Sequence, residues 1–223
     1  MKNGKRILSD CLSMCLIVIT LAIAVTNLTR GTGSLSLNML KHNKSYFNTF
    51  TIDSNLFMAL CAIIRMALGH SEKCRRFTTV LFYTGTTCVA LTMVTVLLFL
   101  GPLQWTLGKS YFSMFADDML FFHLLNPLMA ITAMVLDGKE LKLRHALIAI
   151  VPVIVYSVVY VRNVIFVRCW SDFYNFTFGG KMYMAPVMLI VMYGAAFLIA
   201  LGIGKAHNKC GVRSVECGVR SVE

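Results

Sequence analysis

Residues 77–100 read FTTVLFYTGTTCVALTMVTVLLFL, an apolar stretch in which no side chain is charged. A helix needs roughly 20 consecutive apolar residues to cross the hydrocarbon core of a bilayer. This stretch reaches that length without interruption, so it predicts a transmembrane helix. The fold of the chain is then decided by whether the flanking sequence repeats the pattern.

Similar apolar stretches occur on both sides. The six predicted spans are residues 7–27, 50–69, 77–100, 119–136, 146–167 and 184–204. The chain is 57% hydrophobic and only 14% charged, whereas soluble domains carry about 25% charged residues. Six spans with short loops occupy residues 1–209 and leave no room for a soluble domain. We therefore predict an all-α, polytopic protein of the cell membrane, a single bundle of about six transmembrane helices.

The two ends of the chain carry sequence patterns that differ from those of the spans between them. The basic start followed by an apolar run resembles a signal peptide, but Asp10 and the lack of a small-residue cleavage site favour a retained helix. Residues 210–216 read CGVRSVE, and residues 217–223 repeat them without a change. We predict that this duplicated tail is unstructured or a cloning or frameshift scar.

The distribution of basic residues orients the bundle. Of the 21 lysine and arginine residues, 14 fall on the side of the two termini and 7 on the other side. Cytoplasmic loops carry the excess of basic residues, so both termini are predicted to be cytoplasmic. The net charge of +11 is explained by this flanking pattern and by anionic lipid headgroups. We predict membrane lipids as partners and no binding of nucleic acid.

The eight cysteines show no metal-ligand spacing. Most of them fall inside predicted spans or on the predicted cytoplasmic side, which argues against a disulfide framework. We predict neither a metal nor a cofactor.

Three predicted helices place polar residues in the outer third of the bilayer. Thr51, Ser54 and Asn55 are spaced i, i+3, i+4 and share one face of the second helix. His123 and Asn126 share a face of the fourth helix at similar depth, and Arg162 reaches that depth on the fifth. Because lipid offers no hydrogen-bond partners, the polar faces should turn toward each other.

A threonine hydroxyl beside a histidine imidazole is a possible pair of nucleophile and base. The alternative is structural, since Ser, Thr, Asn and His commonly join helices by hydrogen bonds within membranes. Arg162 also has an alternative to a role in a site, because a long cationic side chain can extend to the lipid headgroups.

Three segments carry a resemblance to a known family. They are FNTFTIDSNLFMAL at residues 47–60, FFHLLNPLMAI at residues 121–131 and WSDFYNF at residues 170–176. Together they resemble the prokaryotic relatives of the androgen-induced-gene-one family, which are six-helix membrane proteins. Animal members hydrolyse fatty acid esters of hydroxy fatty acids with an intramembrane Thr and His.

The resemblance implies that Thr51 is the nucleophile and His123 the base, with Pro127 as the family's following proline. Two features depart from the family pattern. Asn55 comes one residue later than in the animal members, and no carboxylate is obviously placed to orient His123; Asp117, Asp118 and Asp172 are candidates by depth.

The leading hypothesis is a lipid-ester hydrolase that acts on a lipid-like ligand. Thr51 would attack the acyl carbon, and Asn55, Asn126 or Arg162 would stabilise the oxyanion or hold a carboxylate headgroup; Ser54 completes the predicted substrate-binding set. The alternative is a non-catalytic protein that binds or transports an amphipathic anion. A structural membrane subunit is a third interpretation.

Overall fold

The computed structural model describes residues 2–29, 48–136 and 140–219. This part of the chain is built from helices and contains no strand. Six helices follow one another: α1 (Lys2–Thr29), α2 (Phe50–Leu68), α3 (Glu72–Thr106), α4 (Phe121–Leu136), α5 (Leu143–Phe166) and α6 (Met184–Val219). The prediction of an all-α, polytopic fold is confirmed.

Five of these helices, α1, α2, α3, α5 and α6, are long and apolar enough to cross a membrane. Helix α4 is also apolar but is shorter. At a rise of 1.5 Å per residue it measures roughly 24 Å, less than the ~30 Å of a hydrocarbon core. The count of six membrane crossings and the cytoplasmic termini therefore stay predictions.

The duplicated tail and the first predicted loop are the two regions where prediction and structure cannot be matched directly. Helix α6 continues to Val219, into the duplicated tail, which the sequence analysis interprets as unstructured or as a cloning or frameshift scar. Most of the first predicted loop, including residue 47 of the family-like segment, lies outside the described residues, as do residues 220–223.

Helix α3 lies at the centre of the bundle and contacts α2, α4, α5 and α6. Its sequence is rich in threonine, and six of these hydroxyls donate to backbone carbonyls three or four residues earlier in the same helix. A threonine that bonds to its own helix needs no polar partner on a neighbour. This allows a helix with many hydroxyls to be surrounded by apolar ones.

A buried arginine joins α1 to α2 at the opposite end of α2 from Thr51. Arg65 forms an ion pair with Asp10 at 3.3 Å and donates to the hydroxyls of Ser9 and Ser13 at 3.0 and 2.8 Å. Its guanidinium also lies 4.0 Å from the centroid of the Phe82 ring. The buried guanidinium is therefore balanced by a carboxylate on the neighbouring helix.

Helices α3, α4 and α5 each contain one wider π-helical turn, at Val96–Leu100, Phe121–Leu125 and Arg162–Phe166. Because consecutive helices run antiparallel, all three turns lie at the same end of the bundle as the start of α2. Such turns are rare and occur frequently at functional sites. The three π turns therefore indicate that a functional site lies at this end of the bundle.

The predicted orientation can be tested with two cysteines on opposite ends of the bundle. Cys169 is exposed and Cys74 is partly exposed. In variants that keep only one of these cysteines, an impermeant maleimide added to intact cells should label Cys169 and spare Cys74. Cys74 should react after permeabilisation. Labelling of Cys74 in sealed cells would reverse the orientation.

Candidate functional site

The structure brings Thr51 and His123 into contact. Thr51 lies in the first turn of α2, His123 lies in the π turn of α4, and both side chains are buried. The Thr51 Oγ1 atom is 3.4 Å from the Nε2 atom of His123. The predicted contact between the polar faces of the second and fourth helices is therefore present.

A backbone carbonyl orients the imidazole. The Nδ1 atom of His123 lies 2.5 Å from the carbonyl oxygen of Met114, in the short helical turn Tyr111–Phe115. A carbonyl oxygen only accepts, so Nδ1 carries a proton, and in a neutral imidazole Nε2 is then the acceptor. The unprotonated nitrogen thus faces the Thr51 hydroxyl. This is the tautomer that a general base requires.

The carboxylates considered from the sequence do not take that orienting position. Asp118 accepts a hydrogen bond from Asn27, and Asp172 is engaged in the loop that follows α5. Sequence reasoning missed Met114 because the group that acts is a carbonyl, which every residue possesses.

The two asparagines join three helices behind the site. Asn55 donates to the carbonyls of Thr51 at 2.7 Å and Phe122 at 3.2 Å. Asn126 donates to the Asn55 side-chain oxygen at 2.9 Å and to the Thr20 hydroxyl of α1 at 3.0 Å. Both amide groups are therefore committed to holding α1, α2 and α4 together around Thr51.

Ser54 supports the same turn from the other side. Its hydroxyl lies 3.1 Å from the carbonyl oxygen of Thr51 and 3.0 Å from the Thr92 hydroxyl of α3. The structure thus places three of the predicted substrate-binding residues beside the Thr51–His123 pair: Ser54, Asn55 and Asn126. Their hydrogen bonds fix the helices that carry the pair.

An apolar cavity of about 250 Å³ opens beside Thr51. Helices α2, α3, α5 and α6 and the loop before α6 enclose it. Thr51 lies in the wall, whereas His123, Ser54, Asn55 and Asn126 do not. None of the described residues that line it is charged. The cavity can hold an aliphatic chain, with the threonine hydroxyl as one of the few polar groups that such a chain would meet.

Arg162 is not part of this site. It is exposed, its guanidinium donates to the Asn163 side-chain oxygen at 3.3 Å, and it lines a separate open groove with Phe166, Leu189 and Tyr193. Arg162 lies at the predicted depth, level with Thr51, but its side chain points out of the bundle. Depth alone could not distinguish an inward from an outward direction.

Asp172 organises the loop between α5 and α6. Its carboxylate accepts hydrogen bonds, each of 2.8 Å, from the Tyr160 hydroxyl, the backbone N–H groups of Phe176 and Thr177 and the Thr177 hydroxyl. Burial raises the pKa of Asp172, but these hydrogen bonds outweigh it and hold the pKa below its ordinary value. The loop is therefore built around an ionised carboxylate.

This loop brings Tyr174 to the start of α2. The Tyr174 hydroxyl accepts the backbone N–H of Phe50 at 2.8 Å, and Tyr174 lines the cavity together with Thr51. Burial raises the pKa of Tyr174, and Thr51 and Tyr156 are among the neighbours that oppose this rise. Sequence reasoning did not select Tyr174, although it lies in the WSDFYNF segment on which the family resemblance rests.

Comparisons with models of known protein families, with curated proteins and with solved structures find no match. The resemblance to the androgen-induced-gene-one family stays a prediction.

The role of Asp172 can be tested by Asp172→Asn, which replaces one acceptor oxygen by a donor. Loss of hydrogen bonds to a charged group should destabilise the folded protein by about 1–3 kcal/mol and speed amide hydrogen exchange at Phe176 and Thr177. The difference in stability between the wild type and Asp172→Asn should disappear as the pH falls through the lowered pKa of Asp172, because the carboxylate contributes stability only while ionised.

Asp117→Asn provides the matched control. Asp117 is exposed and has a φ of 51°, a conformation that Asn adopts as readily as Asp. Its thermal stability should equal that of the wild type. Unchanged exchange at residues 176 and 177 in Asp172→Asn would contradict the assigned role.

Proposed function

We propose that this protein is an intramembrane lipid-ester hydrolase, with Thr51 as nucleophile and His123 as general base. The observation that carries the proposal is the position of the Thr51 hydroxyl. Thr51 lies in the wall of an apolar cavity, and its hydroxyl faces the acceptor nitrogen of an imidazole whose other nitrogen is held by a carbonyl. Nucleophile, base and orienting group are the three parts of an activated hydroxyl.

The reaction follows from this arrangement. As the Thr51 oxygen forms a bond to the ester carbon, its proton passes to the Nε2 atom of His123, and the carbonyl oxygen becomes an oxyanion. Collapse of this intermediate breaks the bond to the leaving alcohol, which takes the proton back from Nε2. A water molecule, activated by the same nitrogen, then hydrolyses the acyl-threonine and releases the acid.

The cavity supports a lipid ester as substrate. Its walls are aromatic and aliphatic, and its few polar groups are hydroxyls such as those of Thr51, Thr92 and Ser157. An aliphatic chain gains roughly 0.8 kcal/mol for each methylene moved from water to such surroundings, but a chain drawn from a bilayer gains little. The cavity therefore selects an aliphatic chain by its shape and does not bind it tightly. This suits a substrate that is already dissolved in the membrane.

We further propose that the enzyme acts in the cell membrane, with the site in the outer third of the bilayer. The placement in the outer third rests on the excess of basic residues on the side of the termini. Binding of an amphipathic anion has less support, since none of the described residues that line the cavity carries a positive charge.

The proposal predicts that Thr51→Val and His123→Ala each lower the turnover of long-chain esters by at least about 100-fold. The double variant should lose no more than either single variant, because the two residues act as a unit. Turnover is measured on purified protein in detergent, and folding is checked by thermal unfolding.

Thr95→Val is the matched control, since Thr95 lines the same cavity wall but makes no contact with His123. It should alter the Michaelis constant more than the turnover number. A wild type that turns over no member of a broad ester panel would refute the hydrolase and leave a lipid-binding protein. A fully active Thr51→Val would refute Thr51 as the nucleophile.

A further inference from the structure

The hydrolase proposed above needs a donor for the oxyanion, and the amide groups near Thr51 do not supply one. Preorganised donors at the developing charge are usually the largest contribution to such a reaction. The N–H groups of Asn55 and Asn126 are committed to other acceptors, and neither residue lines the cavity. Arg162 lies in a separate groove.

Three tyrosines line the cavity, and their protons have different partners. The Tyr156 hydroxyl donates to the Asn48 carbonyl at 2.7 Å, and the Tyr160 hydroxyl donates to Asp172 at 2.8 Å. Among the hydrogen bonds of the described residues, Tyr174 instead appears as an acceptor, from the N–H of Phe50. Its proton is therefore the one of the three that is not directed at a carbonyl or a carboxylate of the described residues, and the hydroxyls of Thr51 and Tyr156 are its neighbours.

Tyr174 is also the tyrosine next to the nucleophile. It binds the residue that precedes Thr51, and Thr51 is among the groups that act on its hydroxyl. Thr51 in turn directs its own proton toward His123. A carbonyl group attacked by Thr51 from the cavity would therefore lie close to Tyr174, which lines the same cavity.

The start of α2 prepares this hydroxyl for negative charge. The first N–H groups of a helix have no partner within the helix, and they form the positive end of its dipole. Phe50 directs one of them at the Tyr174 oxygen. Donation into the oxygen of a hydroxyl strengthens that hydroxyl as a donor. Asp172 fixes the loop that keeps the ring in place.

We propose that the Tyr174 hydroxyl donates the hydrogen bond that stabilises the oxyanion formed when Thr51 attacks a lipid ester. Phe50 holds this hydroxyl through its backbone N–H, and Asp172 positions the loop that carries the ring. Tyr174 is then a third catalytic residue of the site, beside Thr51 and His123.

The test is Tyr174→Phe, which removes the hydroxyl and keeps the ring. The turnover number should fall by about 10²–10³-fold, with the Michaelis constant within about twofold of the wild type. The affinity for a long-chain trifluoromethyl ketone, which forms a tetrahedral adduct with the nucleophile, should fall in parallel with kcat/KM. The affinity for the corresponding ether, which has no carbonyl, should not change.

Tyr83→Phe is the control for loss of a buried phenol. Its hydroxyl donates to the Ala200 carbonyl at 2.6 Å, away from the cavity. This variant should lose thermal stability and keep its relative affinity for the ketone and the ether.

The outcomes separate this inference from the function on which it rests. A wild type without esterase activity overturns both. An active wild type with an equally active Tyr174→Phe overturns only the role of Tyr174. A variant that loses turnover and stability but keeps its affinity for the ketone overturns it too, because the residue would then be structural.

Discussion

The hydrogen bond between Asn126 and Asn55 holds together the three helices on which the candidate site depends. Inside an apolar bundle an amide cannot exchange its partners for water, so each amide hydrogen must find an acceptor on a neighbouring helix. Asn55 uses its two hydrogens on the carbonyls of Thr51 and Phe122, and Asn126 uses its own on Asn55 and on Thr20 of α1. These bonds fix the start of α2 against the π turn of α4.

The distance between Thr51 and His123 follows from that junction. The π turn Phe121–Leu125 places His123 on the face that meets α2, and the turn Tyr111–Phe115 provides the Met114 carbonyl behind it. The loop after α5 completes the same end of the bundle, because Asp172 orders it and Tyr174 binds the first N–H of α2. Structural hydrogen bonds and the proposed chemistry thus share residues, and a variant of the junction will affect both.

Much of this arrangement could be predicted from the sequence. The apolar runs predicted five of the six helices to within about six residues at either end, and helical spacing placed Thr51 and His123 on faces that meet. The pairing of Asp10 with Arg65 and the bonding of threonines to their own helix also follow from the cost of an unpartnered polar group in an apolar region. Each of these predictions depends on periodicity or on depth, which a sequence shows directly.

The remaining features depend on rotation about a helix axis or on backbone groups. Arg162 has the predicted position along α5 but points out of the bundle. Apolar residues occur on every face of α5, so its sequence does not define its rotation about the helix axis. The role of Met114 belongs to a carbonyl oxygen, and that of Tyr174 to a loop whose path is set by Asp172. The continuation of α6 into the duplicated tail could not be predicted, because the CGVRSVE repeat lacks an apolar helical pattern.

The central claim is that Thr51 is a nucleophile activated by His123. It is tested most directly by incubating the purified protein with a long-chain alkyl fluorophosphonate and locating the adduct by peptide mass spectrometry. The account predicts a phosphonylated Thr51 in the folded wild type, with labelling lost after heat unfolding and in His123→Ala. An unmodified Thr51, or labelling at the same rate without His123, would contradict it.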